Sequence, residues 1–162
     1  MSLKRGYLFA LSLLLAPPAI AQTNIALDGF SADATTPVEI ASESLTVNRE
    51  SGSAVFTGDV VIAQGKLRLS ADSVEVIYLE ASGDISRLLA EGHVIFVTEN
   101  DAAQSDQAEY NLTDRRLVMT GNVILTQGAS TIASDRMTVN LETGEAQLDG
   151  RVRTTLTQQD NN

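Results

Sequence analysis

The sequence predicts an all-β fold, and three observations lead to that prediction. Segments such as Leu67-Arg68-Leu69 and residues 74–78 alternate along the chain with period two, as half-buried strands do. Val, Ile and Thr are abundant, and no segment carries an apolar stripe with helical spacing over several turns. A pair of short motifs also recurs along the chain, which is typical of repeated structural units.

The first 21 residues have the composition of a cleavable signal peptide. Lys4 and Arg5 form a charged start, and residues 7–15 are apolar. Ala19-Ile20-Ala21 then provides the small-x-small pattern of a signal-peptidase site before Gln22. The apolar stretch is too short to span a bilayer. We therefore expect an exported protein that loses residues 1–21.

The composition excludes several classes of function. Beyond residue 21 the chain carries 9 Lys+Arg against 21 Asp+Glu, a net charge of −12. Nucleic-acid binding depends on basic residues that neutralise phosphates, so an acidic chain with few aromatic residues is a poor candidate. With no Cys and with His93 as the single histidine, the chain lacks the usual zinc ligands. We expect no nucleic acid, no metal and no cofactor.

The recurring motifs are an acidic residue that precedes an apolar alternation and a glycine that precedes a polar residue and Val. The acidic positions are Glu43, Asp72, Asp106 and Asp135, and the glycines are Gly58, Gly92, Gly121 and Gly150. The first three glycines each lie 14 residues before the next acid, and three of the four acids lie 15 residues before the next glycine. The period is therefore 29 residues, with one five-residue insertion within residues 79–88. Ser82-Gly83-Asp84 in that insertion indicates a longer turn.

Superposing the repeats predicts which side chains share one interior. Apolar residues occupy the second and fourth positions after the glycine, namely Val60, Ile62, Val94, Phe96, Val123 and Leu125. The matching pairs after the acid are Leu45/Val47, Val74/Val76, Ala108/Tyr110 and Met137/Val139, and we expect them to line the same interior. The parity changes between Ala71 and Val74, so we expect a bend or bulge at Asp72-Ser73.

Three segments carry a resemblance to a known family. They are residues 57–65 (TGDVVIAQG), residues 69–74 (LSADSV) and residues 117–123 (LVMTGNV), and residues 36–40 (TPVEI) look like that family's opening strand. Several copies in phase behind a signal peptide make the chain similar to the LptA/OstA family of periplasmic lipopolysaccharide-transport proteins. The resemblance covers roughly residues 36–154.

The resemblance implies a twisted, open β-jellyroll whose hydrophobic groove takes the acyl chains of lipid A. Carried over by motif and by repeat, the lipid-contacting residues are expected to be Val38, Ile40, Val60, Ile62, Val76, Phe96, Tyr110, Leu112, Leu125 and Val139. It also implies an organisation into a signal peptide (1–21), an N-terminal segment (22–35), a jellyroll domain (36–156) and a polar tail (157–162).

The same resemblance implies the partners and the location. The protein is expected in the periplasm, where copies associate head to tail. The resulting bridge would connect an LptC-like inner-membrane protein to an LptD-like outer-membrane protein and would carry lipopolysaccharide between them. The exposed edges of a row of antiparallel strands suit such strand addition on physical grounds too.

Catalysis and scaffolding are the two alternative functions for such a chain. Four carboxylates at one repeat position favour a structural role at a strand bend over catalysis. His93 lies in a polar turn with no evident orienting partner, so we expect neither a catalytic triad nor any enzyme activity. The main rival function is a β-solenoid scaffold that binds proteins through its edge strands and no lipid, and a filled, dry interior would favour it.

Overall fold

The computed structural model describes residues 23–26 and 35–156, and all of its regular structure there is β-strand. This confirms the all-β prediction. The strands are β1 (Thr23–Ala26), β2 (Glu39–Ala41), β3 (Ser44–Asn48), β4 (Ser53–Gln64), β5 (Leu67–Tyr78), β6 (Ile85–Val97), β7 (Asp101–Asn111), β8 (Arg116–Gln127), β9 (Ser130–Asn140), β10 (Glu145–Asp149) and β11 (Arg153–Leu156). The expected signal peptide and polar tail lie outside the described residues.

The strands form one antiparallel sheet in which β4 to β9 pair with their neighbours in chain order. Both β2 and β3 pair with β4 at one end of this row. At the other end both β10 and β11 pair with β9. The N-terminal strand β1 crosses to that far end and pairs with β10, in the register Thr23↔Leu148 to Ala26↔Glu145.

Each long strand bends in the middle. The register shifts between Thr57 and Val60, between Ser70 and Ser73, and at the equivalent places in every later pair. The bend predicted at Asp72-Ser73 is therefore confirmed. The bulge consists of a glycine and the residue after it, and both have positive φ in every repeat, as in Gly92 (φ 77) and His93 (φ 44).

The bends divide the sheet into two arms. The first arm contains residues 53–57, 73–78, 85–91, 107–111, 116–120 and 136–140 with β3 and β10. The second arm contains residues 60–64, 67–71, 94–97, 101–105, 123–127 and 130–134 with β2 and β11.

The two arms fold toward each other. Gln64 lies level with the start of β7 and Tyr110 near its end, so a flat sheet would hold them roughly 30 Å apart. Their side chains are in fact hydrogen bonded at 3.2 Å. The sheet therefore folds over itself, as expected for the predicted open jellyroll, and the apolar core lies between the arms.

The core contains the predicted interior residues of the long strands, such as Val74, Leu125 and Met137, all fully buried. The prediction was wrong for Leu45 and Val47, which are 52% and 62% exposed. Both face the interior side, opposite Phe56 and Ala54. Because β3 is an edge strand, no further strand of the described residues covers them, and they remain exposed to solvent.

The five-residue insertion forms a turn between β5 and β6. The Leu79 N–H donates to the Asp84 carbonyl at 2.8 Å, and the Gly83 N–H donates to the Leu79 carbonyl at 2.8 Å. The longer turn predicted at Ser82-Gly83-Asp84 is confirmed. Among residues 23–26 and 35–156 there is no helix with the length and apolar character needed to cross a membrane.

Candidate functional site

The space between the arms is the candidate site. The strands of each arm alternate their side chains between the two faces of the sheet, so every second residue points into this space. A cavity of about 30 Å³, enough for a water molecule or two, lies between β4 to β6 of the second arm and β6 to β8 of the first. Its walls are Val38, Ile62, Gln64, Leu67, Leu69, Leu88, Phe96, Tyr110, Leu117 and Leu141.

All ten residues predicted from the sequence to contact lipid belong to this interior. Six are buried core residues: Val60, Ile62, Val76, Phe96, Leu125 and Val139. Four are half-buried and pack against the core: Val38, Ile40, Tyr110 and Leu112. Their position in the fold is as expected, whereas their contact with lipid stays a prediction.

Only four of the ten line the cavity itself, namely Val38, Ile62, Phe96 and Tyr110. The other cavity residues were missed by sequence reasoning: Gln64, Leu67, Leu69, Leu88, Leu117 and Leu141. The alternation Leu67-Arg68-Leu69 could have revealed two of them. No sequence pattern indicates Gln64, because a polar residue at the end of a strand is normally predicted to be exposed to solvent.

Two polar side chains interrupt the apolar walls of the cavity and bond to each other. The Tyr110 hydroxyl donates to Gln64 Oε1 at 3.2 Å, and Gln64 Nε2 donates to the Thr36 carbonyl at 3.1 Å. Burial raises the pKa of Tyr110, and the charge of Arg115 opposes this shift. The phenol therefore stays protonated at neutral pH and can act as the hydrogen-bond donor.

The acidic residue of each repeat packs against the glycine of the neighbouring strand at the outer side of the bend. A Cβ on Gly58, Gly92, Gly121 or Gly150 would clash with Glu43, Asp72, Asp106 or Asp135 respectively. Three of the carboxylates also accept hydrogen bonds from the residue after the glycine: His93, Asn122 and Arg151. The predicted structural role of these acids at the strand bend is confirmed.

The expectation that His93 lacks an orienting partner was wrong. Its Nδ1 lies 2.8 Å from Asp72 Oδ2, and this hydrogen bond raises the pKa of His93. The pairing was not visible in the sequence because the residues lie 21 positions apart across a bulge. The imidazole is nevertheless 89% exposed on the convex side, away from the cavity. This arrangement fixes a turn and offers no enclosed place for a substrate.

The outer surface carries no cluster of metal-binding side chains within the described ranges. Shallow depressions recur along the bends, for example between His93, Ile95 and Asp106. They repeat with the strands, and each is lined by adjacent strands on one face of the sheet. The interior between the arms, in contrast, is enclosed by side chains from both arms of the sheet.

Comparison with known proteins places this architecture in a family. The family model described as LptA/(LptD N-terminal domain) LPS transport protein matches residues 39–145. The chain belongs to this LptA/LptD N-terminal family. Because the family consists of transport proteins, the expectation that the chain is not an enzyme is confirmed.

Individual relatives agree with the family assignment. An uncharacterised protein of Rhizobium meliloti is 30% identical over 94% of this chain and 94% of its own length. The lipopolysaccharide export system protein LptA of Escherichia coli K12 is 26% identical, over 80% of this chain and 72% of its own. The crystal structure of LptH, a periplasmic lipopolysaccharide-transport component of Pseudomonas aeruginosa, superposes with a TM-score of 0.70. That match covers 78% of this chain and 99% of LptH at 16% identity, and it shows a shared fold.

Proposed function

We propose that this protein carries lipopolysaccharide through the periplasm and holds the lipid A acyl chains between its two arms. Membership of a lipopolysaccharide-transport family supports the cargo class. The main support for the site is the continuous apolar interior, which contains all ten residues predicted from the sequence to contact lipid. Each methylene group moved from water into it contributes about 0.8 kcal/mol, so acyl chains need no specific chemistry to be retained.

The proposal requires the arms to separate. A cavity of about 30 Å³ is far too small for an acyl chain, and residues such as Val76 and Leu125 are fully buried in the closed state. Loading must therefore replace contacts between the arms by contacts with lipid. The half-buried residues Val38, Ile40, Tyr110 and Leu112 lie where opening would first admit a chain.

The ends of the sheet support a bridging role. β2 and β3 have no partner beyond β4, and β11 has none beyond β9, within the described part of the chain. Strand edges of this kind add further strands from another protein. We propose that copies join head to tail through these ends, and that an LptC-like and an LptD-like protein occupy the two ends of the bridge.

Site-specific photocrosslinking in cells tests the groove. A photoreactive phenylalanine analogue replaces Phe96, which is buried between the arms, and replaces its neighbour Ile95, which faces outward, as the matched control. We expect covalent capture of lipopolysaccharide at position 96 and none at position 95. Export and resistance to protease show that both variants are folded.

The filled interior also favours a second candidate, an edge-strand scaffold that binds no lipid. If position 96 captures no lipopolysaccharide while crosslinkers on β3 and β11 capture protein partners, the carrier function is wrong and the scaffold is the better account. Capture at both positions 95 and 96 would also contradict an interior groove, because it would indicate nonspecific adsorption to the surface.

A further inference from the structure

We propose that the hydrogen bond between Tyr110 and Gln64 is a latch that holds the two arms closed and sets how readily a lipid chain enters. This inference rests on the proposed carrier function and identifies the residues that control its site. Gln64 and Tyr110 are the two polar residues among the ten that line the cavity. The other eight wall residues are apolar, and dispersion contacts between apolar side chains weaken gradually as surfaces separate.

The hydrogen bond lies where a small rotation of the arms would break it. Gln64 is the last residue of β4, and Tyr110 is the next-to-last residue of β7, so both lie at the arm margins farthest from the bends. Each is four or five residues from its bulge, a distance of roughly 15 Å. A hinge rotation of only about 10° at the bends would separate the margins by roughly 2.5 Å, which breaks a hydrogen bond.

Both polar atoms of the Gln64 amide are hydrogen bonded. Its Oε1 accepts from Tyr110 on the first arm, while its Nε2 donates to the carbonyl of Thr36, just before β2. Gln64 is only 9% exposed, and a buried amide is stable only when its polar atoms are bonded. The latch therefore joins three parts of the chain, and breaking one bond leaves a buried polar group that favours further opening toward water.

Removing the Tyr110 hydroxyl tests the latch with little change in shape. Tyr110→Phe should favour the open state roughly 2- to 10-fold, the usual effect of one hydrogen bond. Tyr78→Phe is the matched control, since Tyr78 also packs against the core, and its hydroxyl makes no hydrogen bond within the described residues. Gln64→Met removes both bonds of the amide and provides a second variant if Tyr110→Phe is poorly folded.

The first measurement needs no lipid. The chain has no Cys, so Lys66→Cys and Asp114→Cys allow spin labels to be placed near the margins of the second and first arms. We expect the distance distribution from pulsed electron resonance to move to longer values in Tyr110→Phe and Gln64→Met and to stay unchanged in Tyr78→Phe. Unchanged distances in both latch variants would overturn the proposal.

The second measurement is the binding of purified lipid A presented in detergent micelles. If the closed state competes with binding, the latch variants should bind lipid A roughly 2- to 10-fold more tightly, mainly through a faster on-rate. If the hydrogen bond only stabilised the fold, the latch variants would bind lipid A more weakly and unfold at a lower temperature. That result would overturn the latch. If the arms open but no variant binds lipid A, the latch stands and the carrier function fails.

Discussion

At the scale of single residues, the fold depends on a contact between an acid and a glycine that is repeated four times. The glycine supplies a positive φ and also the space for the carboxylate of the neighbouring strand. The residue after it then bonds to the same carboxylate, through an imidazole, an amide or a guanidinium group. The first repeat lacks this bond, because Asp59 follows Gly58 beside Glu43 and two carboxylates repel each other.

The glycine contact predicts a difference between two alanine substitutions. Gly92 and Gly83 have nearly the same φ, 77° and 76°, but only Gly92 has a side chain, that of Asp72, within reach of a new Cβ. Gly83→Ala should cost about 1–2 kcal/mol for the left-handed backbone alone. Gly92→Ala should cost about 1–3 kcal/mol more, because Asp72 must shift. Urea unfolding measures both, and equal losses would contradict the role of the contact.

The bond to Asp72 predicts the titration of His93. Asp72→Asn should lower the pKa of His93 toward its ordinary value of 6.5, because the charged partner is lost. Asp84→Asn, in the turn before β6, should leave it unchanged. His93 is the single histidine, so one imidazole proton resonance reports the pKa without assignment.

Two charge pairs at the bends, His93 with Asp72 and Arg151 with Asp135, change the stability of the fold in opposite directions with pH. Because the pKa of His93 is raised in the folded state, its pairing stabilises the fold at low pH and is lost as the pH rises through the raised pKa. The pKa of Asp135 is lowered by Arg151, so that pairing is present above the ordinary value and is lost as the pH falls through the lowered pKa. Both effects are small, because both pairs are screened by solvent.

At the scale of elements, the sequence was informative where a strand repeats and misleading where a strand ends the sheet. The repeat located the bends, the turn after β5 and the buried positions from Val60 to Val139, because the same neighbours recur. Leu45 and Val47 follow the same pattern, yet they are exposed, since burial depends on a next strand that periodicity does not reveal. The pairing of β1 with β10 was not predicted either, because it joins the two ends of the chain.

The open edge at β3 predicts how association can be weakened. Val47→Lys should reduce head-to-tail association in sedimentation experiments, because a lysine on an edge strand opposes the addition of another strand. Val97→Lys is the control, since Val97 is also exposed but lies on β6 between two partners. An equal effect of both would show that charge, and not the edge, is responsible.

The pairing of β1 with β10 predicts that association can also be strengthened. β1 occupies the outer edge of β10, which a strand of another copy would otherwise meet. Deleting residues 23–26 should therefore increase association in the same sedimentation assay, and adding Val47→Lys to the deletion should reverse the gain. Weaker association after the deletion would instead make β1 part of the docking surface.

At the scale of the whole molecule, the closure of the arms lay beyond sequence reasoning. Alternation shows which face of each strand is apolar, but the angle at the bends decides how much room remains between the faces. That angle brings Gln64 to Tyr110 from opposite arms, and no local pattern relates residues 46 positions apart. The family resemblance supplied the idea of a groove, and the fold shows that its closed form is nearly full.

The 29-residue repeat also determines how the protein can vary in length. One repeat consists of two antiparallel strands and therefore adds about 10 Å of sheet. Adding a whole repeat leaves the direction and chemistry of both terminal strands unchanged, whereas adding a single strand would reverse one of them. The length of the sheet can therefore change in steps of one repeat, while its two terminal strands still pair with the same partners.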